Sequence, residues 1–142
     1  MVLPASTAHA KVSRDGRKLL NEANIINMLM YCTSFSLVEN IERHFPGFSA
    51  LLNMKLRPLG LDPHTSLMIK PTILAGVLKQ FFGGVDLALY HLRRVLSEGE
   101  IYSKVITAIL RGGSDDSIKE ELELIVLKYR KDLEKVCRTI KL

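Results

Sequence analysis

The chain has 142 residues and a formal net charge of +5, with 47% apolar and 25% charged residues. This composition is that of an ordinary folded domain and excludes an intrinsically disordered chain. The length suits one domain with one hydrophobic core. Because the basic residues are spread over both halves, the charge permits an acidic partner or a phosphate backbone without requiring either.

Targeting signals and cysteines bear on where the protein works. The first ten residues lack the charged segment and apolar run of a secretory signal, and no run of about eighteen apolar residues predicts a membrane span. Cys32 and Cys137 both stand in helical, apolar surroundings. We therefore expect buried free thiols in a reducing, cytoplasmic location, with a disulfide between them as the lesser alternative. No C-x-x-C pair is present, which argues against a structural zinc site.

Apolar residues recur every three or four positions through most of the sequence, and no strand-like alternation is convincing. The sequence therefore predicts an all-α fold, a single-domain bundle of seven or eight helices with a long C-terminal helix. Residues 1–12 are small, weakly polar and interrupted by Pro4, so we expect a flexible N-terminal arm there. Residues 13–142 then form the single helical domain.

In the first half, hydroxyl residues, proline and glycine mark the expected boundaries. A cluster of three hydroxyl residues at 33–36 predicts a helix break, and Pro46 and Gly47 predict a corner flanked by phenylalanines. Asp62 is expected to cap a short helix that has Pro63 in its first turn. In chain order the predicted elements are helices over 13–33 and 36–44, a corner over 45–48, a short helix over 49–56 and a connection over 57–63.

The second half contains the most apolar run of the chain. Residues 72–82 predict the central, most buried helix, which Gly83 and Gly84 end. Pro71 either ends the preceding short helix or begins this one. Two amphipathic helices follow over 85–97 and 101–110.

The last quarter has the most regular pattern. Acidic residues at the start of residues 114–142 and basic residues at the end suit the dipole of one long helix. Ser114 is one candidate N-cap, and Ser117 with Glu120 as a capping box is the other. We expect this helix to pack against residues 72–82. Its apolar face consists of Ile118, Leu122, Ile125, Tyr129, Leu133, Val136 and Ile140.

No catalytic or cofactor motif is present. The Gly-Gly pairs lack the spacing and the Lys-Ser/Thr of a phosphate loop, and neither a nucleophile elbow nor H-E-x-x-H occurs. The four histidines are scattered through the sequence. We therefore predict a protein that is not an enzyme, and we expect no cofactor.

One stretch resembles the globin family. Phe45-Pro46-Gly47-Phe48 is similar to the aromatic corner of globins, and Leu87 precedes His91 with the spacing found before the proximal histidine. The resemblance implies that His91 holds haem iron, that Phe45 packs on the haem and that His64 is the distal histidine, with Tyr102 as a further packing residue. Some globin-like sensor domains bind no haem and are regulatory modules.

The leading functional hypothesis is a non-catalytic, cytosolic, helical sensory or regulatory module that acts through contacts with a protein partner or a second copy of itself. The expected interaction surface comprises Arg93, Arg94, Tyr129 and Leu133, although the apolar stripe of the last helix also suits the chain's own core. One alternative is a globin-type domain that binds haem or another apolar ligand. Another is a nucleic-acid-binding regulator with a basic strip of Arg93, Arg94 and Lys104.

Overall fold

The chain is all-α within the residues that the computed structural model describes, which are 7–96 and 100–140 for the backbone and 22–96 and 100–140 for side chains. No strand occurs in these ranges, so the predicted fold class is confirmed. Two 3₁₀ turns cover Arg57–Leu59 and Pro63–Thr65. The α-helices of the described ranges are α1 (Thr7–His44), α2 (Phe48–Leu56), α3 (Ser66–Ile69), α4 (Pro71–Phe82), α5 (Val85–Val95), α6 (Glu100–Arg111), α7 (Asp115–Lys128) and α8 (Arg130–Thr139).

The first helix is longer than the sequence predicts. It begins at Thr7, inside the segment expected to be an arm, and continues without interruption through the expected break at residues 33–36. The hydroxyls of that cluster bond without breaking the helix: Thr33 Oγ1 donates to the Leu29 carbonyl at 2.7 Å, and Ser34 Oγ accepts from the Leu67 amide at 3.2 Å. The predicted break is therefore wrong because tertiary partners and back-bonding satisfy these side chains.

The corner after α1 is confirmed. Gly47 has a φ of 103°, a left-handed conformation that disfavours a side chain, and α2 starts directly after it. Glu42, near the end of α1, caps α2 by accepting from the amides of Gly47 at 3.0 Å and Ser49 at 2.8 Å. The hydrogen bonds from Ser49 and Gly47 lower the pKa of the Glu42 carboxyl against a small opposing effect of burial.

Helix α4 contacts α2, α3, α5, α6 and α7 and is therefore central as predicted, but it is not the most buried helix, because α6 buries seven of its 12 residues and α4 buries five of 12. Pro71 occupies its first turn, so the second of the two expected roles for this proline is the correct one. Gly83, with a φ of 90°, ends the helix in the left-handed conformation. No single helix of the described residues is long and apolar enough to cross a bilayer, although α4 and α5, bent by 91°, reach that length and composition together.

The predicted long C-terminal helix is two helices. Tyr129 breaks the helical backbone between α7 and α8 with a φ of −104° and a ψ of 27°. A break of a single residue preserves the three-and-four spacing of the apolar residues, so the pattern does not reveal it. Ser114 caps α7 by accepting from the Ser117 amide at 3.1 Å, whereas the alternative capping box of Ser117 and Glu120 is wrong.

The packing partners of the C-terminal segment also differ from the prediction. Helix α7 packs mainly on α1 and α6, and α8 packs on α1. Helix α7 makes a smaller contact with α4, and at its start Asp115 Oδ1 accepts from the backbone amide of Thr72 at 3.0 Å and from its hydroxyl at 2.8 Å. Burial raises the pKa of Asp115, but these bonds and the charges of Lys70 and Lys119 outweigh it and lower the pKa.

A disulfide joins Cys32 of α1 to Cys137 of α8, so the expectation of free thiols is wrong. The two cysteines are 105 positions apart with Cα atoms 5.3 Å apart. A crosslink closing a loop of about 100 residues stabilises a fold by about 4.7 kcal/mol in the chain-entropy model. Burial of a leucine such as Leu133, the one fully buried residue of α8, contributes about 2 kcal/mol. Free thiols are one reason to expect a cytoplasmic location. The disulfide removes that reason, because disulfides are commonest in oxidising compartments.

Replacing Glu42 by Gln is expected to lower the free energy of unfolding at neutral pH, because a neutral amide is a weaker cap than a carboxylate. Water screens the half-exposed carboxylate, so the expected loss is only about 1 kcal/mol. The wild-type advantage is fully present above the ordinary pKa of 4.5 and is lost as the pH falls through the lower folded pKa. Urea unfolding at neutral pH and well below pH 4.5 measures this difference. Glu123→Gln, at an exposed carboxyl of α7, is the matched control, and a difference that persists in acid would contradict the assignment.

Candidate functional site

Two of the residues implied by the globin resemblance lie together. The Phe45 ring meets Phe82 edge to face at 4.8 Å between centroids, and the His91 ring stacks on Phe82 at 5.6 Å. Phe45 and His91 are themselves 6.1 Å apart, again edge to face. These contacts form a packed aromatic cluster that joins the corner after α1 to the corner between α4 and α5.

The other two residues have different neighbours. His64 stacks on Phe35 of α1 at 4.4 Å, and its ring nitrogens lie 3.3 Å from a carboxylate oxygen of Glu39 and 3.4 Å from one of Asp62. Tyr102 is buried in the core, where its hydroxyl forms a hydrogen bond with Ser36. The contacts thus bring Phe45 and His91 together and hold His64 and Tyr102 against α1. Haem binding stays a hypothesis based on the sequence resemblance.

The four residues of the expected interaction surface also separate. Leu133 is fully buried, so it belongs to the core and does not contribute to a surface. Arg94 is exposed and lies over the ring of Tyr90 at 5.4 Å, with a hydrogen bond to the Tyr90 hydroxyl at 3.0 Å. Arg93 and Tyr129, which are 36 positions apart in the sequence, line the same surface groove.

This α6–α7 groove is an open depression of about 600 Å³ between the outer faces of α6 and α7, with α5 at its side. The residues from α6 recur every three or four positions, which places them in one line along the helix. The lining consists of Arg93 from α5, Glu100, Ser103, Lys104, Thr107 and Arg111 from α6, and Glu121, Leu124, Ile125, Lys128 and Tyr129 from α7 and its end.

Polar bonds hold both ends of the α6–α7 groove. At one end, Arg111 Nη1 donates to Glu121 Oε1 at 3.1 Å, and at the other the Tyr129 hydroxyl donates to Glu100 Oε2 at 3.0 Å. Burial, followed by the bond to Glu100 and nearby negative charge, raises the pKa of Tyr129, so its hydroxyl stays protonated as a donor at neutral pH. The two exposed bonds connect α6 to the end and the middle of α7.

The groove carries positive charge that its own carboxylates do not balance. Four basic side chains line it, whereas Glu121 is paired with Arg111 and Glu100 accepts from Tyr129. Within the described residues, Lys104 and Lys128 have no carboxylate at ion-pair distance. Lys128 lies over the ring of Tyr129 at 5.6 Å, a contact that does not neutralise its charge, so both lysines present positive charge to a negative ligand.

An exposed leucine stands beside these charges. Leu124 projects from α7 with 70% of its surface accessible, and Ile125 next to it is partly covered. Leu127, one turn further along, is 44% exposed. Exposed leucines in one strip next to cations are typical of surfaces that bind amphipathic ligands.

The sequence predicts three of the lining residues, Arg93, Lys104 and Tyr129, as parts of different hypotheses. It does not predict the groove itself, because the amphipathic pattern indicates which face of each helix is buried and not which polar faces lie next to each other. The signal was present: the charged residues of α6 recur at 100, 104 and 111, and Leu124 interrupts the polar face of α7. Tertiary packing determines that these two helix faces lie next to each other.

No group of three or more potential metal ligands occurs within residues 22–96 and 100–140. Comparison of the chain with known protein families, with curated proteins and with solved structures finds no match.

Replacing His91 by Ala is expected to lower the free energy of unfolding by about 1 kcal/mol, because the ring loses its contacts with Phe45 and Phe82. His91→Phe is the matched control, since it retains an aromatic ring without a metal ligand and is expected to keep most of the stability. Denaturant unfolding measures both variants.

Titration of the same proteins with hemin separates packing from iron binding. If His91 only packs, wild type and both variants give the same absorbance spectrum. A Soret band that is present in wild type and lost in both variants would contradict this role and support the globin resemblance.

Proposed function

We propose that the chain is a non-catalytic, regulatory protein-binding module, and that its α6–α7 groove binds an acidic amphipathic helix of a partner protein. The observation that carries this proposal is the combination of unpaired lysine charge and exposed leucine within one groove. Lys104 and Lys128 suit carboxylates of the partner, and Leu124 suits an apolar side chain between them. Neither feature contributes to the chain's own core.

The dimensions of the groove favour a helix as the ligand. Helix α6 has 12 residues, which corresponds to about 18 Å at 1.5 Å per residue. A partner helix of about three turns covers that length and presents residues at i, i+3, i+4 and i+7 along one face. The walls of the groove are packed helices with buried inner faces, so little backbone entropy is lost on binding.

The composition of the groove favours a protein over a nucleic acid. Glu100 and Glu121 face into the groove and would repel a phosphate backbone, whereas a peptide can place its carboxylates beside the lysines alone. Leu124, exposed at the centre of α7, offers apolar contact that a phosphate backbone does not use. The basic strip of the sequence-based hypothesis is also divided, because Arg94 is held on Tyr90.

A fluorescently labelled synthetic helix of about 20 residues, with Glu and Leu on one face, serves as the probe. We expect saturable binding measured by anisotropy, and we expect Lys104→Glu and Leu124→Asp each to weaken it about tenfold, which corresponds to about 1.4 kcal/mol. Lys55→Glu, at an exposed lysine of α2, is the matched control and is expected to bind as wild type does.

Two further probes test the specificity of the groove. A peptide with every Glu replaced by Lys is expected to show no binding, because it places positive charge beside Lys104 and Lys128. Equal binding of both peptides would contradict the proposal. Retention of a DNA duplex that is lost with Lys104→Glu and unaffected by Leu124→Asp would favour a nucleic-acid ligand instead.

A further inference from the structure

Helix α8 lies against α1 in an extensive contact, but it buries few apolar side chains there. Six of its ten residues are charged, and Leu133 is its one fully buried residue. An open pocket of about 740 Å³ separates the end of α8, at Thr139 and Ile140, from the face of α1 that carries Glu39 and Arg43. Among the described side chains, Leu133 and partly covered apolar residues join α8 to α1, and the Cys32–Cys137 disulfide adds a covalent link.

The preceding helix is attached differently. Helix α7 buries Ile118, Leu122 and Val126, and its first turn is bonded to Thr72. The helical backbone is already broken at Tyr129, between the two helices. A backbone rotation at Tyr129 would move α8 and leave the buried contacts of α7 in place, so this residue can act as a hinge.

The two cysteine residues differ in exposure. Cys32 is fully buried in the core face of α1, whereas Cys137 is partly exposed on α8. An external thiolate must approach the sulfur it attacks along the axis of the disulfide, so it reaches the Cys137 side first. Cys137, the more exposed residue of the pair, is therefore the side from which an external thiol can attack.

We propose that Cys32–Cys137 is a reversible thiol–disulfide exchange site for a dithiol reductant, and that its reduction releases α8 from α1. One thiolate of the reductant attacks Cys137 Sγ, the sulfur–sulfur bond breaks, and Cys32 leaves as a thiolate that takes up a proton. The second thiolate of the reductant attacks the reductant's own sulfur in the mixed disulfide, and Cys137 leaves as a thiolate that takes up a proton. The reductant becomes a disulfide, and two electrons and two protons pass to the protein.

Reversible thiol–disulfide exchange is also compatible with a reducing compartment. Disulfides in such compartments are usually transient and take part in catalysis or redox sensing. After reduction, the ten residues of α8 are too few to stay helical by themselves in water, so the released segment frays. The rest of the bundle keeps its buried contacts and remains folded.

Hydrogen exchange of the full chain, with and without dithiothreitol, tests the proposal, and thiol counting confirms reduction. We expect backbone amides of α8 to exchange at least about tenfold faster after reduction, which corresponds to about 1.4 kcal/mol, while amides of α4 keep their rates. Reoxidation with a disulfide reagent is expected to restore the slow exchange of α8. The variant with both Cys32→Ser and Cys137→Ser is expected to show fast α8 exchange that is insensitive to dithiothreitol.

Three results would overturn the proposal. The first is a bond that resists millimolar dithiothreitol under native conditions. The second is a reduced protein in which the α8 amides remain as protected as before, and the third is faster exchange in α4, which would show global unfolding. All three results are measured on the native protein, so the test does not depend on whether the double variant folds.

Discussion

The fold depends on the continuity of α1. This one helix contacts α2, α3, α7 and α8, so a break in its middle would separate the surfaces on which those helices pack. Its buried side chains include Leu29, Leu37 and Ile41, which recur at the spacing of one helix face. The buried hydroxyls of Thr33 and Ser34 are bonded, so the helix passes through the core without an unsatisfied group among the described side chains.

The sequence correctly predicts the helix boundaries that are set by residues at or next to the boundary. Pro71 and Gly83 bound α4, Gly47 turns the chain before α2, and Asp62 accepts from the amide of His64 as an N-cap should. Such boundaries arise from backbone geometry within a few residues. A reader of the sequence therefore has the necessary information at each position.

The predictions that are wrong concern features that tertiary contacts determine. The cluster around Ser34 has the composition of a break, but its bond to Leu67 is a contact across 33 positions that no local rule contains. The break at Tyr129 leaves the apolar period intact. The pairing of Cys32 with Cys137 follows from how α8 lies on α1, and the α6–α7 groove arises because two polar faces meet.

The disulfide also determines how the domain bears mechanical load. Tension applied to the chain from outside residues 32 and 137 passes through one sulfur–sulfur bond, and the residues between them form a closed loop that carries none of it. That loop contains all of α2 to α7, including the aromatic cluster and the α6–α7 groove. A neighbour pulling on the chain would therefore stretch the outer part of α1 and the end of α8 and leave the shape of the groove unchanged while the bond is closed.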